Sequence, residues 1–169
     1  MPIALYRIDD RLIHGQVVVG WGRPLDVGFL VLVDDDVAAS EWEQELYRMA
    51  VSPEMDVVFA SVADAARAHA AYRADPRPGM VLTGNTAAMR ALVEAVAAAD
   101  PPGAVRAVNV GGLHHRPGRV QRMRYVFADP DEERDLRAIA AAGVAVTAQD
   151  VPNARPVPLA DVLSGRGDG

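Results

Sequence analysis

Short apolar runs alternate with longer, alanine-rich stretches of helical period along the whole chain, the pattern of strands and helices taking turns. Ile3–Ile8 is predicted as a first strand and Gly15–Trp21 as the helix after it. Gly28–Val33 (G-F-L-V-L-V) is a continuous apolar run, as expected of a parallel strand covered on both faces, and it stops abruptly at Asp34-Asp35-Asp36. Ser40 is placed to cap a helix through Met49, with Glu43 completing a capping box. Asp56–Ala60 reads as a third strand, and Ser61 caps a helix through about Tyr72. Asp75–Gly79, with two prolines and a glycine, is a loop. Met80–Leu82 is a short strand, and Thr83-Gly84-Asn85 turns into a helix over Thr86–Ala99 that Asp100–Gly103 breaks. Ala104–Val110 and Met123–Ala128 read as strands. Asp129-Pro130 starts a helix through Ala142 that Gly143 ends, and Val144–Ala148 is the last strand, before a terminal helix or turn over Pro156–Leu163.

This order predicts an α/β fold: a doubly wound, mostly parallel sheet of about six to seven strands with helices on both faces. It reads as a single domain over residues 1–163, with a flexible C-terminal tail over 164–169. In such sheets ligands bind beyond the carboxyl ends of the strands, where the strand order switches. The polar segments Asp9–His14, Asp34–Asp36, Gly84-Asn85 and Asn109–Gly112 all fall at that edge.

Composition narrows the chemistry. Half of the 169 residues are hydrophobic, enough for one real core. The net charge of −6 argues against a nucleic-acid partner. No cysteine occurs, which removes disulfides, thiolate metal sites and cysteine nucleophiles together. All 17 basic residues are arginine, so neither a Schiff-base lysine nor a P-loop lysine can exist. M-P-I-A-L-Y-R is not a signal peptide and no run reaches 18 apolar residues, so a cytoplasmic protein without membrane insertion is expected.

The densest chemistry lies in Arg7–Trp21, R-I-D-D-R-L-I-H-G-Q-V-V-V-G-W. Arginine's planar fork binds phosphate oxygens bidentately and keeps its charge, and a helix start would aim free backbone N–H groups at the same anion. His14, set among these groups, is therefore a candidate covalent phosphate carrier. Arg11, three residues away, is the first choice to contact the phosphate. Arg7 either does the same or pairs with Asp9 or Asp10, whose carboxylates would repel phosphate and so read as orienting groups. Gly15 and Gln16 open the following helix, and Gln16 could donate to phosphate. Gly84, Asn85, Asn109 and Gly111 are candidate supporting residues in small, turn-forming segments at the same edge. Asp34–Asp36 fits helix-start charge better than a magnesium cluster. His114 and His115 point apart on most backbones, so no metal site is expected. Arg116, Arg119, Arg122 and Arg124 read as a solvated face or an interface for an acidic partner, His69 as a surface residue, and Trp21 and Trp42 as packing residues.

The segment R-I-D-D-R-L-I-H-G-Q-V closely resembles the active-site segment of enzyme IIB components in the mannose/fructose/sorbose branch of the bacterial phosphoenolpyruvate-dependent sugar phosphotransferase system. The resemblance continues, in order, through D-V-G-F-L-V-L-V-D-D-D-V-A, N-V-G-G-L-H, Y-V-F-A-D and G-V-A-V-T-A-Q-D-V-P. It implies that His14 is phosphorylated, at Nδ1, that Arg11 supports it, and that no cofactor is needed. It implies a IIA phosphodonor protein and membrane IIC/IID permease components as partners, with the domain peripherally associated with the permease. The absence of cysteine agrees with the histidine branch. A regulatory phosphocarrier uncoupled from transport, or a non-covalent binder of a phosphorylated small molecule, shares the same residues.

Overall fold

The computed structural model describes residues 3–168. Seven strands form the main sheet: β1 (Ile3–Asp9), β2 (Phe29–Val33), β3 (Asp56–Ala60), β4 (Gly79–Thr83), β5 (Ala107–Gly112), β8 (Ala145–Ala148) and β9 (Val157–Pro158). A two-stranded hairpin, β6 (Val120–Met123) and β7 (Val126–Ala128), forms a second small sheet, joined to the end of β5 by a parallel bridge between Leu113 and Val126. The order in the main sheet is β3-β2-β4-β1-β5-β8-β9. Every pairing is parallel except β8 with β9. The helices are α1 (Asp35–Ala38), α2 (Glu41–Met49), α3 (Val62–Ala74), α4 (Thr86–Ala99), α5 (Pro130–Ala141) and α6 (Leu159–Leu163), with a π-helix over Gln16–Gly22 and a 3-10 turn over Pro101–Gly103.

Side chains alternate across each strand, so the sheet divides two cores. Ile8, Val31, Val33, Val81, Val108 and Val110 face α3, α4 and α5, and Leu30, Leu32, Met80 and Leu82 face the π-helix and α2. All five residues of β2 are buried, as a continuous apolar run requires. The helices begin where small polar side chains can accept a backbone N–H: Asp34, Ser40, Ser61, Asn85 and Asp129 each do so. The three aspartates after β2 are thus explained as helix starts, with Asp34 accepting from Val37 and Asp35 from the Val62 N–H.

The outgoing connections of β1 and β5 leave toward opposite faces of the sheet, the π-helix toward one and α5 toward the other. The crevice between these two strands is therefore a switch point of the kind that binds ligands.

Several expectations need correction. The helix expected at Gly15–Trp21 is a π-helix one residue further on. Its wide turn places positions five apart on one side, and Gln16 and Trp21 both donate to the carbonyl of Asp150, at 3.2 and 2.9 Å. One short turn carries little macrodipole, so it is a weak source of positive potential. The strand expected over Met123–Ala128 splits at Arg124-Tyr125 into a hairpin, because that dipeptide is a turn. His69 is buried rather than on the surface: its ring lies between the Tyr6 hydroxyl (2.6 Å) and Asp100 (2.9 Å). Trp42 is exposed rather than packed. Arg119 is buried, held bidentately by Glu132 rather than solvated. In the segment after Leu163, expected to be a flexible tail, Gly167 is buried against Met123 and Asp168 accepts from the Arg124 N–H at 3.1 Å. Gly169 lies outside the described residues.

Candidate active site

At the carboxyl end of β1 the chain turns sharply, with Leu12 N–H donating to the Asp9 carbonyl at 3.0 Å. Leu12 adopts φ = 59°, the left-handed region that costs a branched side chain about 1 kcal/mol or more. Its side chain lies over Gly84, where a Cβ would come within 2.6 Å of Leu12 Cδ2. Gly84 therefore lets the loop settle onto β4. This turn is what brings His14 back over the strand end.

Asp9 is the hub. Its carboxylate is wholly buried and receives five N–H donors. Oδ1 accepts from the Arg11 backbone N–H and from Arg11 Nε, both at 3.1 Å. Oδ2 accepts from Arg7 Nη2 (3.1 Å), Arg11 Nη2 (3.0 Å) and His14 Nε2 (3.1 Å). Burial pushes the Asp9 carboxyl up, but the hydrogen bonds from His14 and Arg11 and the charge of Arg7 outweigh it. The group is held well below the ordinary carboxylate range.

Arg7 lies beneath Asp9 with no solvent exposure. Its Nη1 donates to Asn109 Oδ1 at 2.6 Å and to the Gln149 carbonyl at 3.0 Å, and the Trp21 ring covers it with its centroid 5.0 Å away. Burial pulls Arg7 below the ordinary guanidinium value, and the charge of Asp9 opposes that. A Cβ on Gly111 would fall 1.8 Å from Arg7 Cζ, so that glycine makes room for the guanidinium. Arg7 thus touches Asp9, which holds His14, and presents no exposed group at the turn.

Arg11 is different. Its side chain is about one-third exposed, at 37%. Nε and Nη2 are turned to Asp9, and Nη1 donates to Gln16 Oε1 at 3.2 Å. Of its five N–H donors, one on each terminal nitrogen is left for other acceptors. The His14 side chain is 19% exposed, with Nε2 on Asp9.

Asp10, the first residue of the turn after β1, is engaged away from His14. It accepts from the His114 N–H (2.7 Å), His114 Nδ1 (2.5 Å) and Arg119 Nη1 (3.0 Å). Burial pushes its carboxyl up and these hydrogen bonds outweigh the effect. Asp10 therefore ties the loop after β5 to the active turn. The His114 ring borders the site: a Cβ at Gly112 would lie within 3.4 Å of His114 Cε1, Asp9 Oδ1 and Arg11 Nη2 alike.

The structure thus gathers Arg7, Asp9, Arg11, His14, Gln16, Asn109 and Gly111 into one network. Gly15 opens the π-helix without a side-chain cap. Asn85 is instead occupied as the cap of α4, accepting from Ala88, and lies beside Asp34–Asp36. Sequence reasoning missed the carbonyls of Gln149 and Asp150, which hold Arg7, Gln16 and Trp21 in place. Their signal was the Q-D pair that follows β8 at the same edge.

A family model described as "PTS system sorbose subfamily IIB component" matches residues 3–168. The chain belongs to this family. A similar protein is the mannose-specific EIIAB component of the phosphotransferase system in Escherichia coli (strain K12), 31% identical over 169 residues. That match covers 97% of this chain but only 49% of the relative, so the chain spans about half the length of this mannose-specific protein. The sorbose-specific EIIB component of Klebsiella pneumoniae is 29% identical, with 97% of this chain and 96% of that protein covered. The solved IIBSor domain of the sorbose permease from the same organism superposes with a TM-score of 0.85 at 28% identity, covering 97% of both chains. Among the described residues no helix of this sorbose-subfamily IIB chain is long and apolar enough to cross a membrane.

Proposed function

We propose that the protein is a phosphohistidine carrier of a sugar phosphotransferase system. His14 takes a phosphoryl group from a histidine of a IIA partner and gives it to a sugar held by membrane IIC/IID components. The observation that carries this reading is the tie of His14 Nε2 to a buried, ionised Asp9. The carboxylate keeps the ring proton on Nε2 and leaves the Nδ1 lone pair as nucleophile. In the first step Nδ1 bonds to phosphorus as the donor's N–P bond breaks, and the donor departs as neutral imidazole. The Nε2–H stays on Asp9, whose charge stabilises the cationic phosphorylated ring. That same proton makes His14 a good leaving group when a sugar hydroxyl attacks phosphorus: the N–P bond breaks, the ring leaves as neutral imidazole, and the hydroxyl proton passes to a base at the permease site or to water.

The two open N–H groups of Arg11 fit the equatorial oxygens of the transferring group, where charge concentrates in the transition state. Arg7, Asn109 and Gly111 fix Asp9 from below. The chain works in the cytoplasm, docked on the permease.

Incubation with phosphoenolpyruvate and the phosphotransferase proteins, followed by mass spectrometry, tests the reading. Wild type gains one phosphate that is acid-labile, base-stable and insensitive to chelator when the donor is supplied already phosphorylated. His14→Ala gains none and stays folded. Phosphate incorporation by the variant at the wild-type level would refute the assignment and point to His114 or His115.

A further inference from the structure

Helix α2 is turned inside out. Its inward side is polar or amphipathic: Gln44 Nε2 donates to the Val37 and Ala38 carbonyls at 3.1 Å, Tyr47 packs on the core, and the Arg48 guanidinium lies 5.0 Å from the Phe59 ring centroid. Its outward side is apolar. Trp42, Leu46 and Met49 fall on one face by the i, i+4, i+7 rule, and are 68%, 51% and 82% exposed. No residue of α2 is buried. A contiguous apolar stripe of this size facing water marks an interaction surface.

A depression of about 550 Å³ lies beyond the helix, between the π-helix and the segment after α2, lined by Val18, Val19, Ala50 and Met55 and by the charged Arg23, Asp26, Glu54 and Arg77. Val19 is itself half-exposed, five residues after His14. The stretch that carries the stripe is itself acidic: residues 34–50 hold six carboxylates and one arginine, and that arginine is bonded to Glu45 at 2.6 Å. Asp35, Asp36, Glu41 and Glu45 are exposed.

We infer that α2 is the docking surface for a Lys/Arg-bearing cytoplasmic loop of the membrane permease. The inference rests on the carrier reading above for the presence of a permease. An apolar stripe flanked by carboxylates complements a segment with apolar anchors and basic flanks, and cytoplasmic loops of membrane proteins carry that excess of Lys and Arg. A second copy fits poorly, because a two-fold contact would set the acidic rows against themselves. The anionic membrane surface would repel the same carboxylates. The phosphodonor and the permease-held sugar must both reach His14 at the carboxyl edge, whereas α2 runs from that edge down the flank of the sheet toward the start of β3, so it suits a lasting anchor better than the brief contact of the donor. A loop anchored there holds the domain while leaving His14 open to the donor.

The test places a photoreactive benzoylphenylalanine at Leu46 in cells that produce the protein, cross-links, and identifies the product by mass spectrometry. The expected product is an integral-membrane permease component, joined through a cytoplasmic segment carrying Lys or Arg. A cross-link to the phosphodonor, to a second copy of this chain, or to no protein overturns the inference. In parallel, a Trp42→Ser, Leu46→Ser, Met49→Ser variant, checked for folding by circular dichroism, should lose at least about tenfold in co-sedimentation with permease-containing membranes. Its phosphorylation by the donor should stay within about twofold of wild type, and a matching loss there would also overturn the inference. Failure of wild-type His14 to accept phosphate would instead refute the carrier reading, whatever the cross-link shows.

Discussion

Replacing Asp9 with asparagine tests the hub most directly. The change keeps shape and removes one charge. Two donors converge on Oδ1 and three on Oδ2, so whichever oxygen becomes an NH2 group, at least two N–H donors face another donor. Each buried donor left unpaired costs about 1–3 kcal/mol. The wholly buried Arg7 also loses its counter-charge, and breaking a buried pair from one side costs roughly 3–5 kcal/mol. These terms overlap because they share the same atoms, so the expected loss is about 4 kcal/mol, or a fall in Tm of roughly 8–16 °C at this chain length. Urea unfolding of both proteins measures it, provided the slope against denaturant is unchanged. A loss below about 1 kcal/mol would refute the argument. A folded-state value below the ordinary 3.8 means the stabilisation is fully present above that value and disappears as pH falls through the depressed one. The wild-type advantage should therefore be flat from about pH 5 to 8 and shrink only in acid. An Arg7→Met, Asp9→Asn double variant should be more stable than Asp9→Asn alone, since no buried cation is orphaned.

Arg11→Ala should slow single-turnover transfer from phosphorylated donor by roughly a hundredfold or more, while moving Tm far less than Asp9→Asn, because Arg11 is partly solvated; a mild rate effect would move the role to other donors. Gly111→Ala should destabilise by at least about 2 kcal/mol, because its Cβ would meet Arg7 Cζ at 1.8 Å; a neutral result in denaturant unfolding would show that the guanidinium is not confined there.

Much of this was legible in the chain. The unbroken apolar run of β2 announced a strand covered on both faces, and Ser40, Ser61 and Asp129 marked helix starts that their side chains indeed cap. The sequence left Arg7 free to pair with Asp9 or Asp10; the structure gives it Asp9, while Asp10, in the turn after β1, goes to His114 and Arg119. What could not be read was long-range. The burial of His69 depends on Asp100 and Tyr6, and that of Arg119 on Glu132 and Asp10, partners fixed only once the sheet order is known. Trp42 was read as a packing residue, because periodicity gives the width of an apolar face and not its direction.

The π-helix makes the active segment sensitive to counting. Gln16 and Trp21 reach one carbonyl only because five positions bring them to the same side; on an α-helix they would stand about 140° apart. Inserting a single residue between them would set them six apart, about 120° from one another on an ordinary helix, and swing the indole away. Arg7 would lose its aromatic cover and the Asp150 carbonyl one of its donors, although neither residue was altered. In this stretch an insertion is more damaging than most point substitutions, so variants that keep every named side chain can still lose the site through spacing alone.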